Sequence, residues 1–435
     1  MRTTESEQRL PEVLGDFDLT DQSRFADGFP YGLFARLRRE APVLLHPPGN
    51  TADGESFWVL SRYADIAAAA ASPAFSSQSG GSRLGGGTHL DDMALGIDAG
   101  VLLPMMDDPR HELIKRMLAP AMTGPAVTAL ESRLRPYVET LVGQAVARGG
   151  CDFVTDITEK LALRSMALLL GVPEPDWEVL AELGRETQGM VDRRTGRASE
   201  RSQEDLRRLE LYFNGVLTTG RACPVSGAAL GSRADAGSLL THGDIPAGGG
   251  EEPLSGLERE QNLVLLQITG LEQPRNTIAA GIAAVAEHPD QWQALRADRS
   301  LLPGAVEEIL RWAPPNPYNR RTATCDLELH GARIRAGDKV TLWWPSANRD
   351  ESVFADPMRF DIRRNPNPHL SFGHGPHLCA GDEIGRMQIR LVLEVLLDRV
   401  AEIRSMGPVT WAPSNKHGVL LDMPVELLPV EGPVR

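Results

Sequence analysis

Cys379 stands in "FGHGPHLCAG", residues 372–381. Apolar spacing after it reads as an amphipathic helix from about 380 to 398. A cysteine at a helix N-terminus meets the positive end of the dipole and unpaired amides, and both favour the thiolate. Gly373, Gly375 and Gly381 let the backbone and a flat ligand approach closely. A lone thiolate so placed suits a soft metal, and one cysteine ligand is what a haem iron accepts. A single cysteine after a glycine-rich turn is most often structural. Here Phe372, the glycines, His377 and Cys379 form one fixed pattern, which favours chemistry. Cys151, Cys223 and Cys325 are scattered, with no CxxC or zinc spacing, so no disulfide framework is expected.

A second group lies in "ITGLEQPRNTI", residues 268–278. The surrounding residues, Gln261 to His288, repeat at helical spacing and read as one long buried helix over 258–288. Pro274 lacks the N–H that would bond the Gly270 carbonyl, a loss of roughly 3 kcal/mol in a helix interior. Glu272 is the ionisable side chain of 268–274. Its neighbour Gln273 can donate and accept hydrogen bonds but cannot ionise. An acid and an amide beside an opened backbone could hold water and pass protons. A third pair, Glu308 and Arg311 in "EILR", shares a helix face at i, i+3.

The elements that must position these residues are mostly helical. Helical patterns run over about 110–121, 126–148, 157–170, 175–192, 202–220, 258–288, 290–297, 302–312 and 380–398. Residues 57–70 read as a strand entering a helix, and 320–345 as a hairpin. Glycine-rich segments at 88–104, within a longer loop from 76, and at 222–256 read as long loops of the kind that bind or cover ligands. No linker or repeat divides the chain, so 1–435 reads as a single domain. With 45 basic and 59 acidic residues the net charge is −14, which argues against a nucleic-acid surface. No apolar run is long enough for a membrane span, and the N-terminus shows no secretory segment, so a cytoplasmic protein is expected.

The cysteine segment resembles the haem-binding loop of the cytochrome P-450 family, Phe-Gly-x-Gly-x-His/Arg-x-Cys-x-Gly. Glu308 and Arg311 match its Glu-x-x-Arg marker, which implies a buried pair, with Arg359 in "DPMRFD" as third member. The resemblance extends from "FARLRREAPV" (34–43) to the C-terminal strands. It implies a mainly α fold with small β-sheets, triangular in outline, with haem b between the 258–288 helix and the Cys379 helix. It implies Cys379 as the iron's axial thiolate, and His111, Lys115, Arg321 and His369 as partners of the haem propionates, with Phe372 and Gly373 in the haem loop. Lys115 departs from the family's arginine and offers a point charge in place of a planar fork.

In this family the long helix carries Ala-Gly-x-Glu/Asp-Thr-Thr. Here Glu272 keeps the acid, while Gln273 and Pro274 replace the threonines, so Glu272 and Gln273 are the expected catalytic pair and Pro274 is expected to open the helix. Similar actinobacterial members hydroxylate sterol side chains, methyl-branched lipids and terpenoids, with matches in "RRTATCDLELHG", "SANRDESVFADP" and "RRNPNPHLSFGHG". The resemblance implies a monooxygenase using O2 and electrons from a ferredoxin and an NAD(P)H-dependent ferredoxin reductase, acting as a monomer on a largely hydrophobic small molecule. The altered long helix leaves two alternatives: a tailoring enzyme that couples, desaturates or rearranges, and a peroxide-driven haem enzyme. Expected pocket segments are 88–104, Leu265–Gly270, 314–319 and 415–419. Lys115, Arg116, Arg386 and Arg390 form the expected docking face for an acidic ferredoxin.

Overall fold

The computed structural model describes residues 10–185, 187–188, 191–192, 194–195, 197–218, 235–243 and 253–430. The expected loop at 222–256, with Cys223, falls mostly outside them; within it, Ala236–His242 forms a short helix.

The long helix spans Gly256–Glu287. Its start is fixed by a capping box. Ser255 Oγ accepts from the Glu258 amide at 3.1 Å, and the Glu258 carboxylate accepts from the Ser255 amide at 2.7 Å. The helix continues unbroken through Pro274. The expected opening is therefore local: the Gly270 carbonyl loses its helical donor, while packing on both sides carries the helix across. Gly270 itself is pressed against the helix Glu159–Leu169, where a Cβ would run into Met166 Sδ.

Around it pack the helices Glu159–Leu169, Glu200–Thr218, Leu302–Trp312 and Asp382–Arg399. One buried apolar cluster joins them, from Leu103 through Ile282 and Leu391 to Leu427. The pattern at 175–192 splits in the structure. A helix ends at Arg185, and two short paired strands, Thr187–Gln188 and Val191–Asp192, follow.

A five-stranded sheet flanks the helices in the order Val43–His46, Phe57–Leu60, Lys339–Trp343, Tyr318–Ala323, Phe75–Ser76. Its pairs are antiparallel except Lys339–Trp343 with Phe57–Leu60. The expected hairpin at 320–345 is the antiparallel pair of Tyr318–Ala323 and Lys339–Trp343, with Arg321 opposite Val340. A smaller hairpin, Leu327–Leu329 with Ala332–Ile334, sits between them and turns at His330 and Gly331, both at positive φ. No described helix is long and apolar enough to cross a membrane.

The Glu308–Arg311 pair is fully buried, as expected, with two bonds of 2.7 and 2.8 Å. Its surroundings correct one expectation. The Arg359 side chain is exposed, and that residue contributes its carbonyl to Arg311 at 3.1 Å. The guanidinium beside Glu308 is that of Arg364, at 3.3 Å. Glu308 also accepts from the Asp361 amide at 2.8 Å and from Asn367 at 3.0 Å. These contacts fasten the 348–367 segment, which leads directly into the cysteine loop.

Candidate active site

A cavity of about 330 Å³ lies between the long helix and the cysteine loop. Phe372, Gly373, His377, Cys379 and Gly381 form its floor, and Leu265, Leu266, Thr269, Gly270, Gln273, Pro274 and Thr277 form the facing wall. Thr88, Leu103 and Pro104 close one end, with Pro315, Asn316 and Asn319 beside them. The expected segments 88–104, 265–270 and 314–319 thus meet at one site.

Segment 415–419 does not line this cavity. Lys416 is buried, and its ammonium donates at 2.9 Å to the carbonyls of both Thr88 and Tyr318. It ties two walls together from behind. Burial pushes this amine down to about 7.

The cysteine loop reaches its shape through Gly373, whose φ of +79° is costly for any residue with a Cβ. The Cys379 amide donates to the Phe372 carbonyl at 2.9 Å and closes the turn. The helix begins at Asp382, with Gly381 as its N-cap, so Cys379 lies two residues ahead of the cap. Cys379 is exposed to the cavity, yet the protein packed around its thiol withholds bulk water, and this largest influence pushes its pKa up. The Gly381 amide, Lys115 and Arg386 pull the other way and do not prevail. Helix polarity alone therefore does not make the thiolate. A coordinated cation would, because a thiol bound to a metal loses its proton outright.

Four nitrogen-bearing side chains gather at one edge of this floor: His111, Lys115, Arg321 and His377. The His111 and His377 rings lie 4.1 Å apart. His111 Nδ1 is 3.0 Å from Asp108, and His377 Nε2 is 3.1 Å from Ser77 Oγ. Burial, with Arg321, His111 and Lys115 nearby, pushes His377 down to about 2. Lys115 donates to the carbonyls of Pro376 (2.9 Å) and Leu378, so it braces the cysteine loop. Arg321 is wholly buried, which pushes it down to about 10 against the pull of Asp107. One of its donors reaches the Arg320 carbonyl at 3.0 Å, while its Nε meets no acceptor.

An unmet guanidinium donor at a cavity edge, beside two imidazoles and an ammonium, is a seat for an anion. A flat group with carboxylate arms and a soft metal fits this floor. Arg321 and the histidines would hold its arms, Cys379 its metal, and the loop glycines would leave room for its face.

His369 does not belong to this group. Its Nε2 lies 3.0 Å from Glu307, which also binds Arg386 at 2.8 Å. Against its burial, the hydrogen bonds from His369 and Arg386 bring the Glu307 carboxyl down to about 2. The ring is turned toward that pair and away from the cavity. His377, two residues before Cys379 in the same motif, takes the place expected of His369; its position in the motif was the available signal.

The expected catalytic pair separates across the long helix. Gln273 faces the cavity, with its Oε1 buried and without a hydrogen-bond partner. Glu272, 1% exposed, lies off the cavity wall, and Asn276 Nδ2 donates to its Oε2 at 3.4 Å. Adjacent helical residues point about 100° apart, which is why the two cannot share this wall. Thr277, one turn on from Gln273, lines the cavity and was not expected.

The family model described as Cytochrome P450 matches residues 278–401. A Mycobacterium tuberculosis protein named cytochrome P450 126 is 40% identical over 417 residues, covering 95% of this chain and 98% of that protein. Linalool 8-monooxygenase of Pseudomonas putida is 32% identical, covering 95% and 99%. Among solved structures, the Mycobacterium marinum cytochrome P450 CYP268A2 in complex with pseudoionone superposes with a TM-score of 0.78 at 30% identity, covering 91% and 94%.

Proposed function

The chain belongs to the cytochrome P450 family, and from that premise we propose that it oxidises a C–H bond of a largely hydrophobic small molecule bearing a few polar groups. The observation that carries this reading is one cavity shared by the Cys379 thiol and a leucine-lined wall bearing Gln273 and Asn316. The relative named for linalool and the neighbour holding pseudoionone support a small, mainly apolar substrate.

Cys379 would hold the haem b iron, and Arg321, His111 and His377 its carboxylate arms, with Lys115 bracing the loop beneath. When bound, the haem supplies the activation of O2. The chain's residues do the rest. Leu265, Leu266 and Leu103 exclude water and orient the apolar body of the substrate. Gln273 presents an unpaired acceptor to a water or a substrate donor. Glu272 is the acid of the pair and must act from outside the wall, through water or by turning.

Electrons come from a ferredoxin and its NAD(P)H-dependent reductase. The expected docking residues are largely occupied within the fold. Arg386 binds Glu307 and Asp382, Arg390 binds Glu131 and Glu394, and Lys115 binds loop carbonyls. Arg116, more than half exposed, pairs only loosely with Glu112 at 3.7 Å and carries the docking charge best. The same reading takes 1–435 as a single domain acting as a monomer in the cytoplasm; the sheet that pairs Phe57–Leu60 with Lys339–Trp343 supports the single domain.

Gln273 in place of a hydroxyl keeps a second reading open: coupling, desaturation or rearrangement of the bound molecule, or turnover driven by peroxide. Turnover of linalool and medium-chain lipids with ferredoxin, reductase and NADPH, set against turnover with hydrogen peroxide, separates them. Hydroxylated product from the ferredoxin system is expected. Product from peroxide alone, or only dehydrogenated or coupled product, would transfer support to the second reading.

A further inference from the structure

Asn316 lines the cysteine cavity, and its side-chain amide bonds no described residue. It lies in "PPNP", residues 314–317. A residue ahead of proline is confined to extended backbone, so Pro317 fixes how Asn316 is presented. The strap is pinned on both sides of it. The Pro315 carbonyl accepts from the Gly418 amide at 2.8 Å, and the Pro317 carbonyl accepts from the Trp344 amide at 3.0 Å. Asn319 lines the same cavity but has a structural task, since its Oδ1 accepts from Trp344 Nε1 at 2.8 Å. Asn316 has none: it closes no turn with its own backbone, and its Oδ1 is buried and unmet. Buried polar groups are nearly always bonded, so a fixed amide left open in an apolar wall calls for a ligand.

The charges around the cavity narrow that ligand. Among the described residues no aspartate or glutamate lines it, so an ammonium would enter unpaired. Its lysine and arginine, Lys115 and Arg321, stand at the edge that fits the carboxylate arms, and Lys115 is already held by loop carbonyls. Lys416, behind the wall, donates to the Thr88 and Tyr318 carbonyls. A substrate carboxylate therefore finds no cation of its own, and burying an unpaired charge costs far more than burying a neutral polar group.

We propose that Asn316 is a specificity-determining residue that binds a neutral hydroxyl of the substrate. A hydroxyl both donates and accepts, so it satisfies either end of the amide. The substrate class becomes an uncharged, mainly apolar alcohol, and carboxylic acids and amines are disfavoured. This inference rests on the substrate reading proposed above.

Binding alone tests it, without O2 or electrons. The haem-loaded protein is titrated with geraniol, with geranic acid and with the hydrocarbon of the same skeleton that lacks the oxygen, and the Soret shift is followed. Geraniol should bind about tenfold more tightly than either analogue, the scale of one buried hydrogen bond. Asn316→Leu should bring geraniol down to the hydrocarbon's affinity and leave the hydrocarbon as in the parent, a selective change that loosened packing would not give. Asn316→Ser, which supplies a hydroxyl, should recover part of the gap. Should Asn316→Leu fail to load haem, Asn316→Ala carries the comparison. A gap of the same size in the variant would overturn the role of Asn316. Geranic acid binding most tightly would overturn the neutral class. Equal affinities for all three, with hydroxylated product still formed in turnover, would overturn this inference and leave the proposed function standing. A parent that binds none of the three would count against both.

Discussion

Gln273 is the residue where this chain departs furthest from its family in chemical terms. It sits on the cavity wall with an unmet acceptor, and the neighbouring acid faces elsewhere. A side chain that can relay or orient a proton but cannot ionise makes proton delivery depend on water and on how well the substrate fits. Gln273→Thr should therefore lower peroxide release with a poorly fitting substrate, and Gln273→Ala should raise it, each by several-fold on the scale of acid–base effects. Equal coupling in parent and both variants would remove Gln273 from proton delivery. At this scale the sequence was legible wherever a motif tied a residue to a neighbour. Cys379, Phe372 and Gly373 fall at the floor because the loop is short and its glycines permit few shapes. His369 was misplaced because a histidine near a motif carries no direction of its own. Its ring follows the nearest carboxylate, Glu307. The split of Glu272 from Gln273 was legible in helical geometry alone, since neighbours on a helix do not share a face.

Elements were legible where apolar spacing ran long. The long helix, the Asp382–Arg399 helix and the Tyr318–Ala323 and Lys339–Trp343 pairing all follow from pattern. The break after Arg185 was not, because two-residue strands leave no periodicity to read. Third partners across elements were equally hidden: nothing in "DPMRFD" says that Arg359 turns outward and Arg364 inward. Glu308→Ala should cost about 3–5 kcal/mol, since it strands the Arg311 guanidinium in a dry interior. Arg359→Ala should stay within about 0.5 kcal/mol, as an exposed side chain away from the pair. Urea melts of the two variants check this, and equal losses would place Arg359 back in the cluster.

The turn at 414–418 gives a pH signature. Unfolded, Lys416 keeps its proton up to about 10.5; folded, it releases it near 7. Below pH 7 both states are charged, and the fold bears the whole cost of the buried ammonium. Between pH 7 and 10.5 the unfolded chain binds more protons, so stability rises with pH through this window. Lys416→Met should lose that rise relative to the parent in melts from pH 7 to 10. Parallel pH profiles would show that the amine is not desolvated.

At the scale of the whole molecule, a chain of net charge −14 places the buried Arg321 and the half-buried Lys115 at the edge of one cavity, where the carboxylate arms of a haem would supply countercharge. Surface arginines near the cysteine helix are matched by local acids, so composition alone misjudged how much free positive charge a redox partner meets. The long helix stands between two cavities. One, apolar, holds the cysteine; the other, polar, is lined by Arg275 and Glu159. Everything in this arrangement depends on the iron sitting on Cys379. The measurement that tests this most directly is the absorption spectrum of the dithionite-reduced, carbon-monoxide-bound protein, in the parent and in Cys379→Ala. The parent should show the red-shifted Soret band of a thiolate-ligated haem, and the variant should lose it. The same band persisting in Cys379→Ala would contradict the assignment.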